Sequence, residues 1–125
     1  MAFTPFESAN EENPSILLSD DGDVWTVPPG TTNPLRQKPA ATGAFNSDTD
    51  IHIGPDGLLT LLYREYDDSP EYERLYIMKS ADARTWTAPT LLMDSTGLTG
   101  GVPLKILSPA IVWDGAAYRM WAVRQ

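Results

Sequence analysis

An all-β fold of antiparallel, blade-like sheets is the architecture this sequence predicts. Three observations predict it. Eleven prolines and nine glycines break the 125-residue chain into short apolar runs. No helix N-cap is followed by an apolar stripe of helical period. Two stretches of the chain recur roughly 60 residues further on.

Taken in order, the first runs are Ser15–Ser19 and Trp25–Val27, which flank a tight Asp20-Asp21-Gly22-Asp23 turn and read as a hairpin. Asp50–Ile53 leads through Pro55-Asp56-Gly57 into the β-prone run Leu58–Tyr66, a second hairpin. Arg74–Ser80, Trp86–Leu92, Ile106–Trp113 and Tyr118–Val123 complete eight short strands. Strands at this spacing suit a sandwich, a barrel or a propeller.

The repeat chooses among these. Ser19, Asp21, Trp25 and Thr26 have counterparts in Ser80, Asp82, Trp86 and Thr87, each 61 positions later. The segment Ser47–Ile53 with Asp56-Gly57 and Leu62-Tyr63 parallels Ser108–Trp113 with Asp114-Gly115 and Met120-Trp121. A unit of this length is one sheet that must stack on its neighbours to bury its faces. With strands of a unit labelled A to D, residues 1–125 form a single propeller-like domain. It holds the C and D strands of one blade (about 15–27), a full blade (about 48–92) and the A and B strands of a third (about 106–123). That is about two blades' worth of strands, whereas propellers close with roughly four to eight blades. The expectation is therefore a partial propeller, completed by homo-oligomerisation or by a larger assembly.

Composition bounds the function. Hydrophobic residues make up 42 %, with four Trp, five Tyr and three Phe, enough for one core. Nine basic against seventeen acidic residues leave a net charge of −8, which argues against nucleic acid and anionic membrane surfaces as partners. There is no cysteine and a single histidine, His52, so neither a disulfide framework nor a thiolate or His-rich metal site is expected, and no cofactor is implied. The start Met1-Ala2-Phe3-Thr4-Pro5-Phe6 lacks the basic and apolar regions of a secretory signal, and no run approaches the ~20 apolar residues of a membrane span. Cytoplasmic synthesis without membrane insertion is expected, with virion association open.

The Ser-x-Asp-x-x-x-Trp segments have a structural task. The Asp accepts hydrogen bonds from turn N–H groups while the Trp packs on the sheet. Ser19, Asp21 and Trp25, then Ser80, Asp82 and Trp86, resemble the Asp-box of sialidase-like propellers, which links the third and fourth strands of a blade. A longer set of residues, including Glu12-Asn13-Pro14, Phe45–Ile51, Leu61–Glu65, Leu107–Ala110 and Met120-Trp121, resembles five-bladed propellers related to glycoside hydrolase family 43, of the furanosidase superfamily, in the type found in bacteria and phages.

If the short A–B and C–D turns lie at one end of the blades, the connections Pro28–Asn46, Asp67–Glu73 and Met93–Lys105 lie at the other, where function usually sits. The A strands start and the B strands end there. Asp48 and Asp50 then approach Arg64 and Glu65, with Ser108 on the next blade, as a candidate ligand-binding group. Two carboxylates beside an arginine suit sugar hydroxyls or an acid–base pair. They equally suit turn capping and an ion pair. The family resemblance implies that an Asp at the start of an inner strand is base or nucleophile, a position that Asp50 or Asp48 would occupy. The general acid of that family is a Glu before a Gly/Ala-Pro step, and Leu107-Ser108-Pro109 offers no acid. Glu65 reads as solvated rim, His52 as a packed strand residue, Trp113 and Trp121 as core, and the acidic Asp67–Glu73 stretch as a poor calcium loop.

Three functions follow as expectations. The first is a carbohydrate-binding module recognising a glycan or small saccharide, on a phage tail or cell surface. The second is a fragment of a glycoside hydrolase with Asp50 as catalytic base. The third is an assembly component joining copies through open blade edges.

Overall fold

A computed structural model describes residues 1–5, 12–68, 71–95 and 105–124 of the chain. The elements named among them are all strands: β1 (Ala2–Phe3), β2 (Ser15–Ile16), β3 (Phe45–Ile53), β4 (Leu59–Asp68), β5 (Glu71–Ser80), β6 (Thr90–Asp94), β7 (Ile106–Trp113) and β8 (Tyr118–Arg124). They form three antiparallel sheets, β1-β2, β3-β4-β5-β6 and β7-β8. The fold is all-β, in sheets of two to four strands consistent with blades of a partial propeller. No helix among the described residues is long and apolar enough to cross a membrane.

The middle sheet organises the rest because both of its faces are covered. Side chains alternate along β4, so Leu61 and Tyr63 point one way and Leu62 and Arg64 the other. Leu61, Tyr63 and Met78 pack with Ala2, Leu35, Ile51, Tyr76 and Trp86 on the side of the first sheet. Leu62 and Leu75 pack with Ile111 of β7, joined by Ile77 and Met93. A strand buried on both faces reads as a continuous apolar run rather than an alternating one, which is why Leu58–Tyr66 stood out in the sequence.

Several boundaries differ from those expected. Trp25–Val27 contributes a single bridge, Leu18 to Thr26, instead of a strand. The expected strand at Trp86 begins only at Thr90, because Thr87 is held locally: its N–H donates to the Lys79 carbonyl and its hydroxyl accepts from the Lys79 N–H. β3 starts at Phe45, and β1 is an unanticipated strand that pairs Ala2 with Ile16. Asp67–Glu73 is no long loop, since β4 and β5 stay paired out to Asp68 and Glu71; Ser69 and Pro70 lie outside the described residues. Most of the Met93–Lys105 connection lies outside them as well.

The repeat is written in the backbone as well as in the side chains. In the first turn Asp21 Oδ1 accepts from the N–H groups of Asp23 and Val24 at 2.8 and 3.0 Å, and Trp25 Nε1 donates to the Gly22 carbonyl. In the second, Asp82 Oδ1 accepts from Arg84 and Thr85, both at 2.9 Å, and Trp86 Nε1 donates to the Ala83 carbonyl. These bonds favour the ionised form, and they hold both carboxyls below the usual aspartate range. Ser19 and Ser80 each donate to their Asp. The residue carrying the left-handed backbone is Gly22 in one copy (φ 85°) and Ala83 in the other (φ 60°). The two Trp differ in setting, for Trp86 packs against the Leu61–Tyr63–Met78 cluster while Trp25 is 41 % exposed.

At the opposite edge of the middle sheet His52 sits edge-on to Tyr118 of β8, with centroids 5.6 Å apart, and both ring nitrogens are buried without a hydrogen-bond partner. Burial lowers its pKa, and the Lys79 charge acts in the same direction; Asp50 and Asp56 act against them. The neutral imidazole is therefore the folded form. Its contribution is fully present above the unfolded-state value of about 6.5 and is lost as pH falls through the lower folded-state value. Urea midpoints measured between about pH 7.5 and about pH 5 should fall toward acid, and His52→Phe should flatten that slope.

Candidate functional site

Two equivalent kinks build the site. In β3 the register slips between Ser47, opposite Arg64, and Asp50, opposite Leu62. In β7 it slips between Leu107, opposite Val123, and Ala110, opposite Trp121. Each bulge carries one residue in the left-handed region, Asp48 (φ 52°) and Ser108 (φ 48°), an unusual setting for a residue with a side chain. Asp tolerates it better than most residues. The bulge re-aims Asp48, and Arg64 holds it.

Arg64 Nε donates to Asp48 Oδ2 at 2.7 Å, Nη1 to Glu73 Oε1 at 3.0 Å and Nη2 to the Ser47 hydroxyl at 2.8 Å. Its side chain is 8 % exposed and that of Glu73 3 %. Glu73 Oε2 accepts from the Ile106 N–H, and the Glu73 N–H donates to Ser95 Oγ. Asp48 Oδ2 also accepts from the Ser108 N–H at 3.2 Å, and Asp50 Oδ2 from the Ile111 N–H at 2.7 Å. Three carboxylates of the middle sheet thus accept backbone donors of β7, and each charge is offset by the guanidinium or by an amide.

Between the kinks lies a pocket of about 330 Å³ whose walls are Asp48–Asp50, Ser108–Ala110 and Ala2–Thr4. Glu12 stands in the field of this group. Burial raises its pKa above the ordinary glutamate value, the Asp48 charge raises it further, and Arg64 partly opposes both. A carboxyl tuned upward holds its proton more tightly than an ordinary glutamate. Among the described residues, no group of three or more His or acidic side chains is placed to hold a metal ion.

The structure brings Asp48, Asp50, Arg64 and Ser108 to one place and sends Glu65 elsewhere. Glu65 is the next residue on β4, so it points to the opposite face and is buried there, accepting from Tyr72 Oη at 3.1 Å. It is no solvated rim. Burial and the Glu65 charge push the Tyr72 hydroxyl up to about 12. Asp67 is also buried. His52 lies at the far end of β3, and Trp121 is 61 % exposed instead of core. Sequence reasoning missed Glu12 and Glu73. Glu73 left a trace in the acidic Asp67–Glu73 stretch, whereas its burial depends on β4 and β5 pairing to their ends.

No family model matches the chain. A curated protein from Flavonifractor plautii, described as an A type blood N-acetyl-alpha-D-galactosamine deacetylase, is 45 % identical over 139 aligned residues, covering 89 % of this chain and 18 % of its own length. This chain therefore spans about a fifth of that relative. A crystal structure of an N-acetylgalactosamine deacetylase from F. plautii in complex with blood group B trisaccharide is similar with a TM-score of 0.80, covering 97 % of this chain and 39 % of that one, at 23 % sequence identity. That likeness shows the fold.

These findings correct the functional expectation. The similar proteins are carbohydrate-modifying enzymes that act on an N-acetyl group, and neither is a phage glycan-docking module, a glycoside hydrolase of family 43 or an assembly part. The physical reason lies at Ser108. Glycoside cleavage needs a second carboxyl to protonate the leaving oxygen, but the position before Pro109 holds Ser108, whose N–H serves Asp48.

Removing one partner from a buried charge network leaves the others uncompensated and costs about 3–5 kcal/mol. Arg64→Met should lower stability by that order in urea denaturation, and adding Glu73→Gln should recover part of the loss.

Proposed function

We propose that this chain forms part of an enzyme that removes the acetyl group from an N-acetylated amino sugar, with its three sheets acting as blades of a propeller. In this reading Ser19, Asp21 and Trp25, with Ser80, Asp82 and Trp86, are Asp-box corners that set the turns of successive blades. The pocket between the two bulges holds the acetamido sugar. The observation that carries the reading is a pocket made from equivalent kinks of adjacent sheets and lined by Asp48 and Asp50, with Asp48 held by Arg64. The charges of Asp48 and Arg64 also act on the upward-tuned Glu12 carboxyl. The alignment with the deacetylase supports the same choice.

Amide hydrolysis asks for a base and then an acid. Glu12 as carboxylate takes a proton from water as its oxygen attacks the acetyl carbonyl carbon. The tetrahedral intermediate collapses with loss of the C–N bond, and the same proton returns from Glu12 to the departing nitrogen. Acetate and a free amino sugar leave. Asp48 and Asp50 accept from sugar hydroxyls, and the Arg64 network keeps Asp48 in its left-handed position.

Acetate release from N-acetylhexosamine glycosides by the full gene product tests this directly. Glu12→Gln should lower the rate by about 10²- to 10⁴-fold, the usual worth of a positioned acid–base group. The acid limb of the pH–rate profile should lie above the ordinary glutamate value, because the base must be ionised. Asp48→Asn should move that limb downward by removing the repelling charge. No acetate from a broad panel of such glycosides would sink the proposal.

A further inference from the structure

The Arg64 network holds one end of the seam between the middle sheet and the β7-β8 sheet. The other end carries a second polar group, which the proposed reaction does not use. His52, Thr60 and Lys79 stand opposite one another across β3, β4 and β5. Opposed residues share a face, and Thr60 lies two positions before Leu62, so this row faces the third sheet as Leu62 and Arg64 do. Tyr118 of β8 covers it, edge-on to His52.

Two of these side chains bury polar atoms that the protein does not pair. Thr60 is 1 % exposed, and its Oγ1 has no hydrogen-bond partner among the described residues. Neither ring nitrogen of His52 has one. A neutral imidazole offers one donor and one acceptor, and a hydroxyl can act as both. Buried groups of this kind are paired in nearly all folded proteins, either with the protein or with ordered water.

Gly54 supplies the room. It is buried at the end of β3, where its N–H donates to the Leu58 carbonyl at 2.8 Å. A methyl group on its Cα would lie 2.8 Å from Asp56 Oδ1, 3.0 Å from Tyr118 Oη and 3.2 Å from Thr60 Oγ1. A carboxylate, a phenol and an alcohol thus converge beside a residue that has no side chain. The donor set does not suit an ion. Asp56 brings a single carboxylate, which Lys79 Nζ already neutralises, whereas calcium takes about six to eight oxygen ligands.

We infer that the seam beside Gly54 is a binding site for an ordered water that bridges Thr60 Oγ1 to a His52 ring nitrogen and to Tyr118 Oη or Asp56 Oδ1. Internal waters typically make about three such bonds. The site ties β8 to the middle sheet at the end far from Arg64, and Gly54 keeps its volume open. It stands whether or not the chain belongs to a deacetylase.

High-resolution crystallography of the full chain and of two variants, with thermal melting followed by circular dichroism, tests the site. The wild type should show an oxygen peak about 2.7–3.2 Å from both Thr60 Oγ1 and a His52 nitrogen. Gly54→Ala should remove that peak, since the methyl group takes its place. Thr60→Val separates a wet seam from a dry one by sign. Valine would raise the melting midpoint if the hydroxyl were buried dry, because an unmet polar group is removed. With the water bound, the midpoint should instead fall by roughly 2–4 °C, because the water loses a partner. A wild-type seam without the peak, a Gly54→Ala protein that keeps it, a midpoint raised by Thr60→Val, or a peak at the ~2.4 Å of a coordinated cation overturns the inference. If Gly54→Ala does not fold, the wild-type peak and the sign for Thr60→Val decide.

Discussion

The arrangement of the second and third sheets depends on one buried cation. Arg64 joins Asp48, Glu73 and Ser47, and the two carboxylates reach on to the N–H groups of Ser108 and Ile106 in β7. A lone guanidinium at this depth would be costly, and so would either carboxylate. Together they fix the distance and tilt between neighbouring sheets more narrowly than Leu62, Leu75 and Ile111 do, since apolar contacts have no direction. The pocket inherits that definition, because its two main walls are the bulges that these bonds tie together.

The same network explains how a strained residue persists at a candidate site. A left-handed aspartate costs of order 1 kcal/mol or more, and it survives only where its surroundings over-determine it. Asp48 has that support on two sides, from Arg64 within its own sheet and from the Ser108 N–H across the gap. Positioning and stability are therefore coupled here.

Much of the fold was legible in the letters because repetition is a property of sequence. The Ser, Asp and Trp spacing pointed to two equal turns, and Leu58–Tyr66 pointed to a strand of a hairpin. What escaped depends on pairing between distant segments. β1 is two residues long and exists because Ile16 lies opposite Ala2. Glu65 and Arg64 are adjacent in sequence, and only the final orientation of β4 decides which of them meets Asp48. Glu12 was no more than part of a family resemblance, since its raised proton affinity arises first from burial and then from the Asp48 charge 36 positions away, with Arg64 opposing both. The chemistry was misjudged through a resemblance. The family pattern places a second acid at the step before Pro109, where this chain has Ser108.

The left-handed positions of the bulges separate shape from chemistry. Asp48 and Ser108 occupy equivalent places and hold the same backbone kink, yet one presents a carboxylate and the other an amide donor with a hydroxyl. A duplicated unit of this kind behaves as a mould whose contour outlasts its contents. Ancestral copies that began alike could specialise by exchanging the residue at the kink, one keeping charge and the other supplying its counter-surface, without disturbing the ladder on either side.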